Sequence, residues 1–266
     1  MDEKLIKDCA LEIYNAEKNC SPMEALTDRF SDITIEDAYK IQMAVVDLKL
    51  KDEEKIIGKK IGLTNKAIRE QIGVHEPDYG IITSSGFVGD GGELDSTTLI
   101  APRIEPEIAF VLKSDLTVDM YPVNNMDIIN ATLGICPALE VVDSRVKDWK
   151  IKIQDTISDS ASYARIVLGN RITPLDGLDL RVIGMASYVN GELVTHGSSA
   201  NVMGNPIEAV TWLTNKLLKY GVELKAGEII LSGSFTPVFS IKKGDSVLAI
   251  FDRLGEVSVR VIWDER

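Results

Sequence analysis

The sequence predicts an α+β fold, with a helical N-terminal cap on a mixed, curled β-structure. Three observations point there. Apolar residues recur at helical spacing in the first part of the chain. From about Ile56, glycine and proline become frequent and apolar residues start to alternate. The strands that follow are interrupted by only two helical segments, which is not the rhythm of a doubly wound sheet.

The elements follow in order. Leu5, Cys9, Ile13 and Ala16 share one helical face. Thr34-Ile-Glu-Asp37 reads as a capping box, and Ala38, Ile41, Val45 and Leu48 form the apolar stripe of a second helix. The charged run Lys49 to Lys55 reads as its solvated end. Residues 104–111, IEPEIAFV, read as a strand, 124–132 as a short helix, and Ala138 to Val142 as a strand. Pro206 to Tyr220 is a helix marked by Asn205 at its N-cap and Gly221 beyond its end. Sheet returns at Glu228 to Leu231, and in the period-two alternation of Val247, Ala249 and Phe251 and of Val257, Val259 and Val261. We divide the chain into an N-terminal helical region, 1–75, and a catalytic domain, 76–266.

Composition excludes several classes of function. The chain has 266 residues, 45% hydrophobic and 26% charged, enough for a packed core and too apolar for wholesale disorder. Its net charge of −12, with 41 acidic against 29 basic residues, argues against nucleic acid as a partner. Cys9, Cys20 and Cys136 are too few and too widely spaced for a disulfide framework or a zinc site. With no apolar leader and no long apolar window, the expectation is a cytoplasmic protein without a membrane partner.

Chemistry concentrates in acidic residues on apolar strands. On a strand, Glu105 and Glu107 point to one face, with Ala109 and Val111, while Ile104, Ile108 and Phe110 point to the other. Two close carboxylates repel, so one must protonate or a cation must lie between them. Alone, the pair reads more readily as a solvent-facing edge. Glu140 shifts the balance, because an isolated charge inside ALEVV would be costly unpaired. Three such carboxylates suit a hard divalent cation with positions left for water and substrate.

Other candidates remain open between two readings. Lys59 and Lys60 precede a turn-like break, Ile-Gly-Leu-Thr64, and alternation sends them to opposite faces. Arg103 and Arg145 either supply positive charge to a substrate or form salt bridges to the same glutamates. Asp78, in the loop-like His75-Glu-Pro-Asp-Tyr-Gly80, is either a backbone cap or a group projecting into a site. Backbone amides near Gly233, in Leu231-Ser-Gly-Ser234, either hold a carboxylate or form an ordinary turn. His75 and His196 are the only histidines, and neither is set in a Ser-His-Asp pattern.

Pro102-Arg-Ile-Glu-Pro-Glu-Ile-Ala109 and Leu139-Glu-Val-Val-Asp-Ser-Arg145 resemble the fumarylacetoacetate hydrolase superfamily, and within it the 2-oxopent-4-enoate hydratase and 4-oxalocrotonate decarboxylase branch. Gly58-Lys-Lys-Ile-Gly-Leu-Thr64, Asp148 to Thr156 and Ala226 to Ser234 extend the likeness over nearly the whole chain. The resemblance implies a β-roll, Mg²⁺ or Mn²⁺ on Glu105, Glu107 and Glu140, and a homo-oligomer that could associate with a pathway decarboxylase. It implies catalytic roles for Lys60 and Asp78, and substrate contacts at Arg103, Ser162 and Ser234. The implied reaction is hydration of 2-hydroxypenta-2,4-dienoate from aromatic meta-cleavage, with decarboxylation of 4-oxalocrotonate as the alternative. Asp78 and Trp212 match the hydratase version. Asp159-Ser-Ala-Ser162 departs from the usual Asp-Asn-Ala-Ser, and residues 235–240 match neither activity distinctly. For Lys60, burial beside a metal predicts a lowered pKa. Hydrolysis of an acylpyruvate would need a base such as His75-Glu76.

Overall fold

The computed structural model describes residues 1–263. The N-terminal part holds α1 (Glu3–Lys18), α2 (Leu26–Arg29) and α3 (Ile35–Lys51). Asp2 accepts from the Leu5 amide at the start of α1, and Thr34 and Asp37 form the expected reciprocal box at the start of α3. Each satisfies amides that a helix start leaves unpaired. Ile6, Cys9, Ala10 and Ile13 of α1 meet Ile41 and Val45 of α3 in a core of their own. The Lys49–Lys55 run is not wholly solvated, because Lys49 is buried and pairs with Glu17 at 2.6 Å. Its aliphatic stem covers the helix contact while its ammonium finds an anion.

The remaining elements are β1 (Ile56–Gly62), α4 (Lys66–Ile72), β2 (Asp78–Thr83), β3 (Phe87–Gly89), β4 (Gly92–Asp95), β5 (Arg103–Leu112), α5 (Asn125–Ala131), β6 (Thr132–Val142), α6 (Ile153–Ser158), β7 (Tyr163–Leu168), β8 (Gly184–Val189), β9 (Glu192–Ser198), α7 (Pro206–Leu218), β10 (Ile229–Leu231), β11 (Phe239–Ser240), β12 (Ser246–Phe251) and β13 (Gly255–Ile262). Strands β2-β1-β10-β5-β6-β7-β3, with β11 also on β5, make an eight-stranded mixed sheet. Strands β4-β13-β12-β8-β9 make a five-stranded one.

The main core lies where Ile104, Ile108 and Phe110 of β5 meet Val247, Ala249, Val257 and Val259 of the second sheet, together with Leu213 and Leu217 of α7. The opposite face of the large sheet carries a smaller cluster that includes Ala109, Ala138, Ile166 and Leu231. That second face is the one Glu105 and Glu107 share with Ala109.

Several elements differ from expectation. The break after Lys60 comes later, since β1 runs through Gly62 and the left-handed residue is Leu63. Asp78 does not sit in a loop; it opens β2 and pairs with Gly62. Proline and glycine around it suggested a turn, but the partner strand decides the conformation. Helices α4 and α6 bring the inserted helices to four, counted with α5 and α7. Residues of α4 are all at least partly exposed, so it carries no apolar stripe to read. Among the described residues, no helix is long and apolar enough to cross a membrane.

Candidate metal centre and active site

The site is built on the pairing of β5 with β6. Glu105 lies directly opposite Glu140 in the antiparallel register, and Glu107 opposite Ala138. Directly paired side chains emerge on the same face at close range. One oxygen from each of Glu105, Glu107 and Glu140 therefore lies within 4.8 Å of the others. Glu107 and Glu140 are fully buried and Glu105 is half-buried.

Few groups neutralise them. The Gly233 amide donates to Glu107 Oε2 at 2.7 Å. Lys60 Nζ stands 3.3 Å from Glu140 Oε1, an ion pair without hydrogen-bond geometry. Among the described residues, Glu107 Oε1 and both Glu140 oxygens find no hydrogen-bond partner. Buried carboxylate oxygens left this way are costly, and hard oxygen donors converging on one point fit a divalent cation.

The electrostatics carry the same message. Burial, with Glu140 and Glu105 beside it, pushes the Glu107 carboxyl well above its ordinary range. Burial also lifts Glu140 to about 8; Lys60 opposes that rise and Glu105 adds to it. Left to themselves, Glu107 and Glu140 favour their protonated forms, and a cation would displace those protons. For Lys60 the balance is that of the metal-free protein. Burial does pull it down, but Glu140, Glu105, Asp78 and Glu107 together outweigh burial and raise it, so the lysine stays charged.

Lys59 and Lys60 do point to opposite faces of β1, though both are buried. Lys59 pairs with Glu228 at 2.6 Å, away from the cluster. Lys60 Nζ donates to the Ala161 carbonyl at 2.9 Å. That carbonyl lies in a left-handed turn formed by Ser160, Ala161 and Ser162, with φ of 49°, 52° and 59°. Gly80 of β2 lets the turn approach, because a Cβ there would sit 2.0 Å from the Ser160 carbonyl oxygen. Gly62 does the same for Asp78, since a Cβ on Gly62 would lie 2.1 Å from Asp78 Oδ1. Asp78 is buried, its Oδ1 is unpaired, and burial raises its carboxyl although Lys60 opposes the rise.

The site adjoins a cavity of about 540 Å³ that the fully buried Glu107 and Glu140 do not line. Lys60, Asp78, Glu105 and Ser162 all line it. Ser162 Oγ lies 3.3 Å from Thr156 Oγ1, a second hydroxyl in the lining. Arg103 and Ser234 are not in the lining. The Arg103 guanidinium stacks 4.1 Å from the ring of Trp149, which itself lines the cavity. Ser234 Oγ donates to the Thr236 carbonyl at 2.8 Å, so its hydroxyl closes a turn. The Gly233 amide does hold a carboxylate, that of Glu107. Arg145 pairs with Asp159, not with the glutamates, and donates to the Tyr163 carbonyl at 3.0 Å, which ties down the turn that receives Lys60. Glu76 is exposed and pairs with Lys216 at 2.8 Å, and neither it nor His75 reaches the cavity lining. Ala161 escaped sequence reasoning as a partner because it acts through its backbone carbonyl, which leaves no side-chain signal.

Residues 60–262 match the C-terminal domain of fumarylacetoacetate (FAA) hydrolase. The chain belongs to the FAA hydrolase family. Within that family it is 40% identical over 261 residues to a 2-hydroxyhexa-2,4-dienoate hydratase of Comamonas testosteroni, covering 97% of this chain and 98% of that one. It is 43% identical over 224 residues to a 2-hydroxypent-2,4-dienoate hydratase of Pseudomonas putida, covering 84% and 100%. Among solved structures, 4-oxalocrotonate decarboxylase from Pseudomonas putida G7, complexed with magnesium and adipate, superimposes with a TM-score of 0.94 at 35% identity, covering 98% and 99%. The FAA hydrolase match begins at Lys60, the β1 residue that reaches the glutamates.

Proposed function

We propose that the chain is a metal-dependent hydratase that converts 2-hydroxypenta-2,4-dienoate to 4-hydroxy-2-oxopentanoate. The observation that carries this is the cluster of three under-neutralised glutamates with a charged lysine and a protonatable aspartate, at a cavity that Glu105, Lys60 and Asp78 line. The two hydratase relatives support the reaction, and the magnesium in the decarboxylase complex supports a divalent ion, Mg²⁺ or Mn²⁺.

A divalent ion on Glu105, Glu107 and Glu140 supplies Lewis acidity and a fixed place for the substrate's carboxylate and 2-oxygen. The chain's own residues do the rest. The dienol first ketonises: its hydroxyl proton leaves and a proton arrives at C5, which gives the conjugated 3-enoate. Water then adds, with hydroxyl at C4 and a proton at C3. Both steps pass through an enolate at the 2-oxygen, extended to C5 in the first and confined to C2 and C3 in the second, and we assign the Lys60 ammonium the stabilisation of that charge and the hand-over of a proton. Its hydrogen bond to Ala161 fixes its direction. Asp78, with one oxygen unpaired and its carboxyl raised, is suited to orient the attacking water and relay its proton. We assign Ser162 a substrate contact. Arg103 acts through Trp149, and Ser234 through the turn it closes.

The test follows dienol absorbance in the ultraviolet and product by NMR, with and without Mg²⁺. Metal-dependent appearance of 4-hydroxy-2-oxopentanoate is expected. Release of CO₂ from 4-oxalocrotonate with no hydrated product would establish the second reading, which the close superposition on the decarboxylase favours. A homo-oligomer, with or without a pathway decarboxylase, is a further proposal from the family likeness, and sedimentation of the chain alone and mixed with the decarboxylase tests it.

A further inference from the structure

Gln42 follows Ile41 on the buried face of α3 and is itself fully buried. Its amide nitrogen donates to the Tyr79 carbonyl of β2 at 3.0 Å and to the Ile157 carbonyl of α6 at 2.7 Å. Both partners are acceptors, so the nitrogen must face them, and Gln42 Oε1 is left without a partner among the described residues. An apolar side chain of the same shape would fill this space without burying an unpaired oxygen. Tyr39, one turn earlier on α3, stacks on Tyr79 with ring centroids 4.5 Å apart. The two elements that Gln42 joins both carry parts of the site. Tyr79 directly follows Asp78 in β2. Helix α6 ends at Ser158, just before the left-handed turn whose Ala161 carbonyl holds Lys60. The helical region grips α6 a second time, where Asp155 accepts from the Thr27 amide at 3.0 Å and from its hydroxyl at 2.7 Å. Thr27, Tyr39 and Gln42 all precede the segment matched to FAA hydrolase, which begins at residue 60.

We infer that Gln42 is a positioning residue: by clamping β2 to α6 it sets where Asp78 stands relative to the Lys60 ammonium, which makes the helical region part of the active-site scaffold. The inference rests on the hydratase reading above for the roles of Asp78 and Lys60. The three glutamates do not depend on the clamp, because the β5–β6 pairing and the Gly233 amide fix them. Loss of the clamp therefore leaves the chelated end of the substrate in place and loosens the groups that move water and protons. Water addition needs an oriented nucleophile and a proton donor together, and small displacements of either slow it steeply.

Gln42→Met keeps the length of the side chain and removes both of its donors. In the Mg²⁺-loaded protein it should lower kcat for 2-hydroxypenta-2,4-dienoate hydration roughly tenfold, while oxalate affinity changes less than about twofold. Gln42→Asn, too short to span both carbonyls, should show the same split. Ile41→Val trims the neighbouring helical core, so it should lower the denaturant midpoint and leave kcat unchanged. In an Asp78→Asn background the further loss from Gln42→Met should fall below about twofold, because a spacing matters only while both of its ends are present. The same roughly tenfold loss in both backgrounds would overturn the proposal, as would oxalate affinity that falls in step with kcat. Amide hydrogen exchange separates the clamp from the hydratase reading. Gln42→Met, and not Ile41→Val, should speed exchange in β2 and in residues 157–163. Unchanged exchange there would overturn the clamp. If the unaltered chain does not hydrate the dienoate, the hydratase assignment fails, while the exchange comparison still decides whether Gln42 holds β2 to α6.

Discussion

Glu107 shows what a buried carboxylate needs. One oxygen has the Gly233 amide and the other has nothing, while Glu140 and Glu105 press against it. Glu107→Gln keeps the shape and removes a ligand charge, so Mg²⁺ affinity should fall by roughly tenfold or more and activity with it. Full activity of this variant at low Mg²⁺ would refute the three-glutamate site. Lys60 and Lys59 give an internal control, being buried neighbours on opposite faces. Lys60→Met should lower kcat by roughly a hundredfold or more, with oxalate binding retained. Lys59→Met strands Glu228 and should cost stability rather than chemistry; loss of kcat there would reverse the facing of β1. Asp78→Asn should slow water addition while deuterium from solvent still enters C5, because ketonisation needs no oriented water. Equal loss of both in NMR would make Asp78 structural.

At the scale of elements, the β5–β6 pair was legible because its signals agree. Apolar alternation marks the strands, and carboxylates inside them have no structural excuse. The β1–β2 pair was half legible. Alternation separated Lys59 from Lys60, but Pro77 and Gly80 disguised the start of β2, and only Gly62 across the ladder shows why Asp78 is extended. Arg103 and Ser234 lie beside site residues in sequence, yet Trp149 and the Thr236 carbonyl claim them, which no local pattern reveals. Gly80 now has a reason: its missing side chain admits the Ser160–Ser162 turn. Gly80→Ala should destabilise the fold by about 1–3 kcal/mol and displace the carbonyl that holds Lys60. Denaturant melts would show the first effect and kcat the second; an unchanged kcat would separate that carbonyl from the chemistry.

At the scale of the whole molecule, the acidic cluster links stability to pH and metal. Glu140 titrates near 4.5 when unfolded and about 8 when folded, so the metal-free fold binds the extra proton. A group raised in this way loses its stabilising contribution as pH climbs from 4.5 towards 8. Mg²⁺ should offset that loss by displacing the proton. The rise in Tm on adding Mg²⁺ should therefore be larger at pH 8 than at pH 6, and calorimetry should record proton release on binding. An equal rise at both pH values would place the metal elsewhere. The site also joins distant parts of the chain. Lys60 on β1 lies parallel to Leu231 on β10, Glu105 faces Glu140, and the Gly233 amide reaches Glu107. Such long loops close slowly and late, so no early folding intermediate can hold the complete cluster. During refolding, tight metal uptake should lag behind the growth of helical signal, which makes the ion a reporter of the last pairing step and not a template for the first.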